Sequence, residues 1–140
     1  MPILQTTDLK KYYGDEPNIT KALDGVSLSV EHGEFVAIVG TSGSGKSTLL
    51  NMIGGLDVPT SGKVIVDGKD LSTLKDEQLT IFRRRKIGFI FHNYNLLPVL
   101  NVYENLVLPV ELDGDQVDKK YMQEVIRISG LDVKLNNMLN

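Results

Sequence analysis

Apolar and polar residues alternate along the first part of the chain, in the pattern of strands that are buried on one face. The alternation predicts an edge strand at residues 3–13 and a second strand at residues 22–30. A continuous apolar run follows at residues 35–39 and closes on Gly40. Such a run is typical of a central strand that is buried on both faces, as in a parallel sheet.

The apolar spacing then changes to that of helices. Residues 45–56 and residues 119–129 carry apolar side chains at intervals of three and four positions, which predicts two amphipathic helices. Another helix is predicted to begin at Ser72 or Thr73, either of which can cap it, and to run to about Lys86. Strands and helices that follow one another in this way predict an α/β fold.

Shorter elements complete the pattern. Residues 63–66 form a short apolar strand between two turns, and residues 87–91 form another buried strand. Asn101 is placed to cap a short helix that Pro109 is expected to end.

A glycine-rich segment between the apolar run and the first helix has the sequence GTSGSGKS, which matches the phosphate-binding pattern GxxxxGK[ST] in full. Its backbone N–H groups can surround phosphate oxygens, and the positive end of the helix at residues 45–56 points at the same anion. Lys46 is placed to reach the β- and γ-phosphates, Ser47 to ligate Mg²⁺ and Thr48 to donate to the α-phosphate. The predicted nucleotide site comprises Gly40, Thr41, Ser42, Gly43, Ser44, Gly45, Lys46, Ser47 and Thr48.

A flexible Gly/Ser linker is the simpler interpretation of this segment. Core-forming segments bound it tightly on both sides, and a linker would not be bounded in this way. We therefore interpret residues 40–48 as a nucleotide-binding loop.

Composition excludes several classes of protein. The formal net charge of −3 argues against nucleic acid as a partner, because nucleic-acid-binding domains are usually basic. The absence of cysteine excludes disulfides and zinc–thiolate sites. The longest apolar runs have about five residues, whereas a membrane span needs about 20, so any membrane role is expected to go through a partner.

Other candidate sites have simpler interpretations. Residues 64–67 look like an apolar strand ending in a metal-binding aspartate, but the flanking turns favour a hairpin in which Asp67 is a turn residue. The basic run at residues 83–86 is expected to complement a helix C-terminus. His32 is expected in a surface turn, whereas His92 follows a buried strand and either touches Mg²⁺ or its water or is an incidental polar residue.

Together these segments resemble the N-terminal part of an ATP-binding cassette (ABC) ATPase. The resemblance is to the group that serves macrolide export, lipoprotein release and bacitracin-type peptide resistance. It covers essentially the whole chain and is carried by the glycine-rich loop and by ALDGVSL at 22–28, GGLD at 54–57, PTSG at 59–62, RR at 83–84, IGFIF at 87–91, NYNLLP at 93–98 and NVYEN at 101–105.

The resemblance implies an incomplete P-loop NTPase core of the RecA-like type, combined with the antiparallel β-subdomain of ABC ATPases. Residues 1–97 would form these parts, and residues 98–140 would begin the α-helical subdomain. It also implies that Tyr13 stacks on adenine, with Tyr12 as the alternative, whereas an ordinary edge-strand tyrosine is the simpler interpretation. His92 stands where the family has a glutamine that links Mg²⁺ and the attacking water to the transmembrane partner, so Ser47 and His92 are the predicted metal contacts.

The implied function is an ATP- and Mg²⁺-binding subunit of a bacterial transporter. It would pair with a second ATP-binding subunit and act on the cytoplasmic side of the membrane through a permease. The chain ends at Asn140, before the LSGGQ signature, the Walker B strand with its catalytic glutamate and the switch histidine of the family. We therefore expect this chain to bind nucleotide, hydrolysis to belong to a longer parent, and copies of the chain to associate through strand 35–39. The alternative is a nucleotide-binding or interaction module without catalysis.

Overall fold

The computed structural model describes residues 1–90 and 96–138. The chain divides into two compact units, Met1–Ile87 and Gly88–Asn140. The subdomain boundary predicted after residue 97 concerns the architecture of the family and stays a prediction.

A four-stranded antiparallel sheet is the centre of the first unit. Its strands lie in the order β2-β1-β3-β4, and they are β1 (Leu4–Tyr13), β2 (Thr20–Val30), β3 (Ser61–Val66) and β4 (Lys69–Asp70). The prediction of an edge strand at residues 3–13 is wrong, because β1 pairs with β2 on one side and with β3 on the other. Alternation indicates only that one face of a strand is buried. Edge and central strands of an antiparallel sheet both have one buried face, so the pattern does not distinguish them.

A tight hairpin joins β3 to β4. Its two turn residues, Asp67 and Gly68, have φ values of 50° and 76°, and positive φ at both positions is what a type I′ hairpin turn requires. The Asp67 carboxylate lies 3.0 Å from the Lys86 ammonium. This geometry confirms the interpretation of residues 64–67 as a hairpin strand followed by a turn.

The core of the first unit lies between one face of the sheet and helix α1 (Lys46–Ile53). Leu9 and Met52 are its largest fully buried side chains. Burial of apolar surface from both elements holds the helix on the sheet. The other buried apolar side chains of this core are Leu23, Leu49, Val64, Val66 and Leu71.

Helix α2 (Asp76–Lys86) begins later than predicted. Ser72 and Thr73 do not cap it, because the Asp70 carboxylate accepts from the Ser72 N–H at 3.0 Å and closes a separate 3₁₀ turn. The basic end of α2 has structural partners: the Arg83 guanidinium donates to the Gly55 carbonyl at 2.8 Å, and Lys86 pairs with Asp67.

The second unit contains helices α3 (Val102–Leu112) and α4 (Lys119–Ser129). Asn101 caps α3 as predicted: its side chain accepts from the Glu104 N–H at 2.8 Å, and Glu104 accepts from the Asn101 N–H at 3.0 Å. Pro109 does not end α3 but lies inside it, where it removes one backbone donor.

Helix α4 has the predicted bounds. Gly130 ends it in the left-handed conformation, with φ of 72°. No helix within the described ranges 1–90 and 96–138 has the length and apolar character needed to cross a bilayer.

Two predicted buried strands are not strands. Residues 35–39 and 87–90 have no regular secondary structure, and Phe35 is 98% exposed and Ile90 100% exposed. Phe91, the last residue of the strand predicted at 87–91, lies outside the described residues. A parallel strand forms only where neighbouring strands accept and donate its ladder hydrogen bonds, and neither segment belongs to the sheet of the described residues.

Burial in α1 predicts a difference between two neighbouring substitutions. Met52→Ala removes a side chain that is 1% exposed, whereas Leu50→Ala removes one that is 52% exposed. We expect Met52→Ala to lower the free energy of unfolding by about 2–5 kcal/mol and Leu50→Ala by less than about 1 kcal/mol. Urea unfolding followed by circular dichroism measures both, and equal losses would contradict the placement of α1 on the sheet.

Candidate functional site: the glycine-rich loop

The glycine-rich loop turns sharply before α1 begins. The Ser44 N–H donates to the Thr41 carbonyl at 3.1 Å, and the Leu49 N–H donates to the Gly45 carbonyl at the same distance. Gly45 is the N-terminal cap residue of α1 and has φ of 90°. The loop therefore ends in a left-handed residue that aims the chain into the helix.

Gly45 also lies against the backbone of β2. A Cβ atom on Gly45 would be 2.3 Å from the Ala22 carbonyl oxygen, which is closer than atoms can approach. Gly43 has a similar φ of 81°, but a Cβ atom there would meet open space. Glycine is therefore required at position 43 by conformation alone and at position 45 by both conformation and space.

The loop folds around the Lys46 side chain. The Lys46 ammonium donates to the carbonyl oxygens of Gly40 at 2.7 Å and Thr41 at 2.8 Å, and it contacts the Ser44 hydroxyl at 3.3 Å. These three acceptors match the three donors of an ammonium group. Positive charge is thereby held within the loop at the start of α1.

The start of α1 is open to an anion. No side chain caps it, and its first turn carries no acidic residue. The first N–H groups of a helix have no partner within the helix, and together with the helix dipole they favour a bound anion.

A groove of about 560 Å³ opens beside the loop. This volume lies within the usual range for ligand sites. Six of the predicted loop residues line it, together with three residues of β2: Ser42, Gly43, Gly45, Lys46, Ser47, Thr48, Thr20, Lys21 and Ala22. The other three predicted residues, Gly40, Thr41 and Ser44, instead accept the hydrogen bonds of Lys46.

The β2 residues of the groove could not be found from sequence spacing. Thr20, Lys21 and Ala22 are about 20 positions before the loop, and only the pairing of Gly45 against Ala22 brings them to it. The predicted strand that begins at residue 22 was the one feature of the sequence that could have pointed to these groove residues.

Tyr13 lies one strand away from the groove. It pairs with Thr20 across β1 and β2, its hydroxyl donates to Asp57 at 3.4 Å, and the Lys11 ammonium is 5.2 Å from its ring centroid. Tyr12 pairs with Lys21 and donates its hydroxyl to Asp24. Neither ring lines the groove, so the adenine-stacking role of Tyr13 stays a prediction.

Asp57 is a charged neighbour of Tyr13 that was not among the predicted site residues. The Val58 N–H, which donates to it at 2.8 Å, lowers the pKa of this carboxyl, and Lys11 at 3.4 Å lowers it further. Asp57 is therefore ionised at neutral pH and accepts from both Lys11 and Tyr13.

Predicted metal contacts are only partly described. Ser47 is exposed in the groove beside Lys46, whereas His92 lies outside the described residues. Within residues 1–90 and 96–138, no three His, Asp or Glu side chains are grouped so that they could hold a metal ion. His32 lies in an exposed turn, as expected.

Comparison with known proteins decides the family. The family model for ABC transporters matches residues 23–139. The chain belongs to the ABC transporter family. The match begins within β2, continues through the loop and extends into the second unit.

Curated relatives include members of the groups that the sequence suggested. The ATP-binding protein YvcR of Bacillus subtilis, uncharacterised, is 50% identical over 81% of this chain. The lipoprotein-releasing system ATP-binding protein LolD of Xylella fastidiosa is 41% identical over 99% of it, and the bacitracin export ATP-binding protein BceA of Halalkalibacterium halodurans is 39% identical over 96%. This ABC transporter chain spans 44%, 57% and 54% of their respective lengths.

Solved structures confirm the predicted fold class. The dimeric ATP-binding cassette MJ0796 in a post-hydrolysis state, bound to ADP and Pi, superimposes with a TM-score of 0.85 at 39% identity. The match covers 98% of this chain and 63% of that chain. The chain is thus part of an ABC ATPase cassette, with its antiparallel sheet and its glycine-rich loop.

The contact of Gly45 with β2 predicts a difference between two glycine substitutions. Gly43→Ala adds only the strain of a left-handed residue, and we expect it to lower the free energy of unfolding by about 1–2 kcal/mol. Gly45→Ala adds the same strain and a clash with Ala22, and we expect a further loss of at least about 1 kcal/mol. Urea unfolding of the two variants compares them; a Gly45→Ala loss no larger than that of Gly43→Ala would show that the loop does not rest on β2.

Proposed function

We propose that this chain is an ATP-binding component of a transporter and that residues 40–48 hold the phosphates of MgATP. The observation that carries the proposal is the Lys46 ammonium, which the loop holds at the uncapped start of α1. Positive side-chain charge and unpartnered N–H groups converge there, and this is the chemistry that a phosphate chain requires. The ADP and Pi in the MJ0796 cassette support the same ligand class.

Each loop residue then has a role. Lys46 exchanges its contacts with the loop carbonyls for phosphate oxygens, and Thr48 donates a hydroxyl to the α-phosphate. Ser47 presents an exposed hydroxyl in the groove. Mg²⁺ is commonly held by few protein ligands together with water and phosphate oxygens, so one hydroxyl beside a phosphate site fits this ion. His92 would contact Mg²⁺ or its water, and Mg²⁺ would neutralise charge on the phosphates.

Tyr13 is the proposed stacking partner of the adenine ring. Its backbone is paired with Thr20, which lines the groove, and its side chain is 42% exposed. An exposed aromatic ring at the end of a strand next to the phosphate site offers a surface on which a base can stack.

Transport requires partners, and we propose two. The relatives carry the names of export and lipoprotein-release systems, and MacB of Mannheimia succiniciproducens is named an ATP-binding/permease protein. By this similarity the chain acts through a transmembrane permease at the cytoplasmic side of the membrane, and its parent pairs with a second ATP-binding subunit. Hydrolysis needs a positioned water and further charge stabilisation besides the phosphate site.

Binding and turnover can be separated on one sample. We expect calorimetry to show MgATP binding by the 140-residue chain, and we expect Lys46→Ala to raise the Kd at least about tenfold, because it removes hydrogen bonds from a charged donor. Lys69→Ala removes an exposed lysine of β4 outside the groove and serves as the matched control. No ATP binding by the unsubstituted chain would refute the proposal.

Phosphate release measured on the same samples decides between the two candidate functions. Binding without release identifies a nucleotide-binding module for this chain, which is the alternative function. Release that Lys46→Ala abolishes and Lys69→Ala preserves identifies an ATPase.

We also propose that the 140-residue chain, studied alone, associates with a second copy through residues 35–39. Phe35 is 98% and Val39 87% exposed, and in the part of the chain that the structure describes this apolar segment is paired with no strand. An apolar segment without a strand partner is a template for pairing with another chain. Analytical ultracentrifugation is expected to show a mass that rises with concentration, and Phe35→Ser with Val39→Lys is expected to reduce it. The same charge added at Val99→Lys, an exposed position elsewhere, is the control; a constant monomer mass would count against self-association.

A further inference from the structure

Lys21 is an exposed lysine of β2 that lines the groove together with the loop. Among the described residues that line this groove, Lys21 and Lys46 carry positive charge and none carries negative charge. Lys46 belongs to the phosphate-binding loop. Lys21 has no role in the loop pattern and was not among the predicted site residues.

An aromatic ring restrains the Lys21 side chain. The Lys21 ammonium lies 5.3 Å from the ring centroid of Tyr12, within the range of a cation–π contact. The two residues are direct partners across β1 and β2. A lysine held over a ring loses less freedom when it binds an anion than a lysine that moves freely in water.

Asp24 holds the Tyr12 ring in turn. The Tyr12 hydroxyl donates to the Asp24 carboxylate. This hydrogen bond raises the pKa of Tyr12, as do burial and the charge of Asp24, so the tyrosine stays protonated and neutral at physiological pH. The Asp24 carboxylate therefore accepts its hydrogen bond from Tyr12. Among the described residues, Asp24 forms no ion pair with Lys21.

Lys11 shows what a purely structural lysine looks like in the same sheet. It also lies over a tyrosine ring, at 5.2 Å from Tyr13. However, its ammonium is bound to the Val58 carbonyl at 2.8 Å and to Asp57 at 3.4 Å, and it does not line the groove. Lys21 combines the aromatic support with a position in the groove.

We propose that Lys21 is a second cationic contact for the phosphate chain of the bound nucleotide, and that Tyr12 and Asp24 position it. The proposal rests on the proposed function, because it assumes that residues 40–48 bind the phosphates. In this proposal Tyr12 positions the Lys21 side chain and does not stack on adenine.

The test measures binding of two ligands by the full 140-residue chain. MgATP carries a base and a ribose, and inorganic triphosphate carries only the phosphate chain. We expect Lys21→Gln to raise the Kd of both ligands about two- to fivefold, as for an exposed ion pair. The difference is expected to shrink as the salt concentration rises, because salt screens exposed charges. Lys21→Arg is expected to restore binding, and Lys69→Gln, which removes the same charge outside the groove, is expected to leave it unchanged.

The positioning role has its own pair of variants. Tyr12→Phe keeps the ring below Lys21 and loses only the hydroxyl, whereas Tyr12→Leu loses the ring. We expect Tyr12→Leu to raise the Kd of inorganic triphosphate by about twofold and Tyr12→Phe to have a smaller effect. When Lys21→Gln is also present, we expect Tyr12→Leu and Tyr12→Phe to give the same Kd for inorganic triphosphate. A general loss of stability caused by Tyr12→Leu would instead raise the Kd in both backgrounds.

The outcomes separate the two proposals. If the unsubstituted chain binds neither ligand, the proposed function fails and this inference with it. If it binds both and Lys21→Gln binds them equally well, or loses no more than Lys69→Gln, only the role of Lys21 is overturned. A loss for MgATP without a loss for inorganic triphosphate also overturns it, because Lys21 would then act on the base or the ribose.

Discussion

The close approach of Gly45 to the Ala22 carbonyl is the contact on which the site depends. It leaves no space for a side chain, and it fixes the start of α1 against β2. From that point α1 places Leu49 and Met52 in the core. The same contact brings Thr20 and Lys21 to the groove. One backbone contact thus joins the start of α1, where we propose that phosphate binds, to the apolar core and to the β2 side of the groove.

The loop is organised around the charge of Lys46. Lys46 satisfies its three donors with acceptors from its own loop, so the charged side chain does not have to be ordered at the moment of binding. A phosphate oxygen competes with neutral carbonyl oxygens for the same ammonium, and hydrogen bonds between charged groups are the stronger ones. For the proposed phosphate ligand, the arrangement therefore lowers the ordering cost of binding and leaves a net electrostatic gain.

Local signals in the sequence predicted what local interactions determine. The bounds of α4, its end at Gly130 and the Asn101 cap were predicted correctly, because periodicity and capping act over a few residues. The turn of the glycine-rich loop into α1 was predicted for the same reason, whereas its nucleotide-binding role stays a prediction. Pairing between distant segments could not be predicted from local patterns. The central position of β1 depends on its pairing with β3, about 50 residues later. The place of Lys21 in the groove depends on the packing of the loop against β2. The predicted start of α2 was also wrong, because the Asp70 carboxylate accepts a hydrogen bond from the Ser72 N–H and closes a separate turn before the helix.

The exposed run at residues 35–39 shows how sheet and site are linked. It leads directly into Gly40, whose carbonyl accepts the shortest of the three hydrogen bonds from Lys46. On the other side, the loop is fixed by Gly45 against β2 and by α1 in the core. One end of the loop is therefore anchored by packing within the first unit, whereas the other continues into a segment that lacks strand pairing in the described structure. Any contact that pairs residues 35–39 also restrains Gly40, and through it the acceptor set of the lysine. The pairing of residues 35–39 and the geometry of the proposed phosphate site therefore depend on each other.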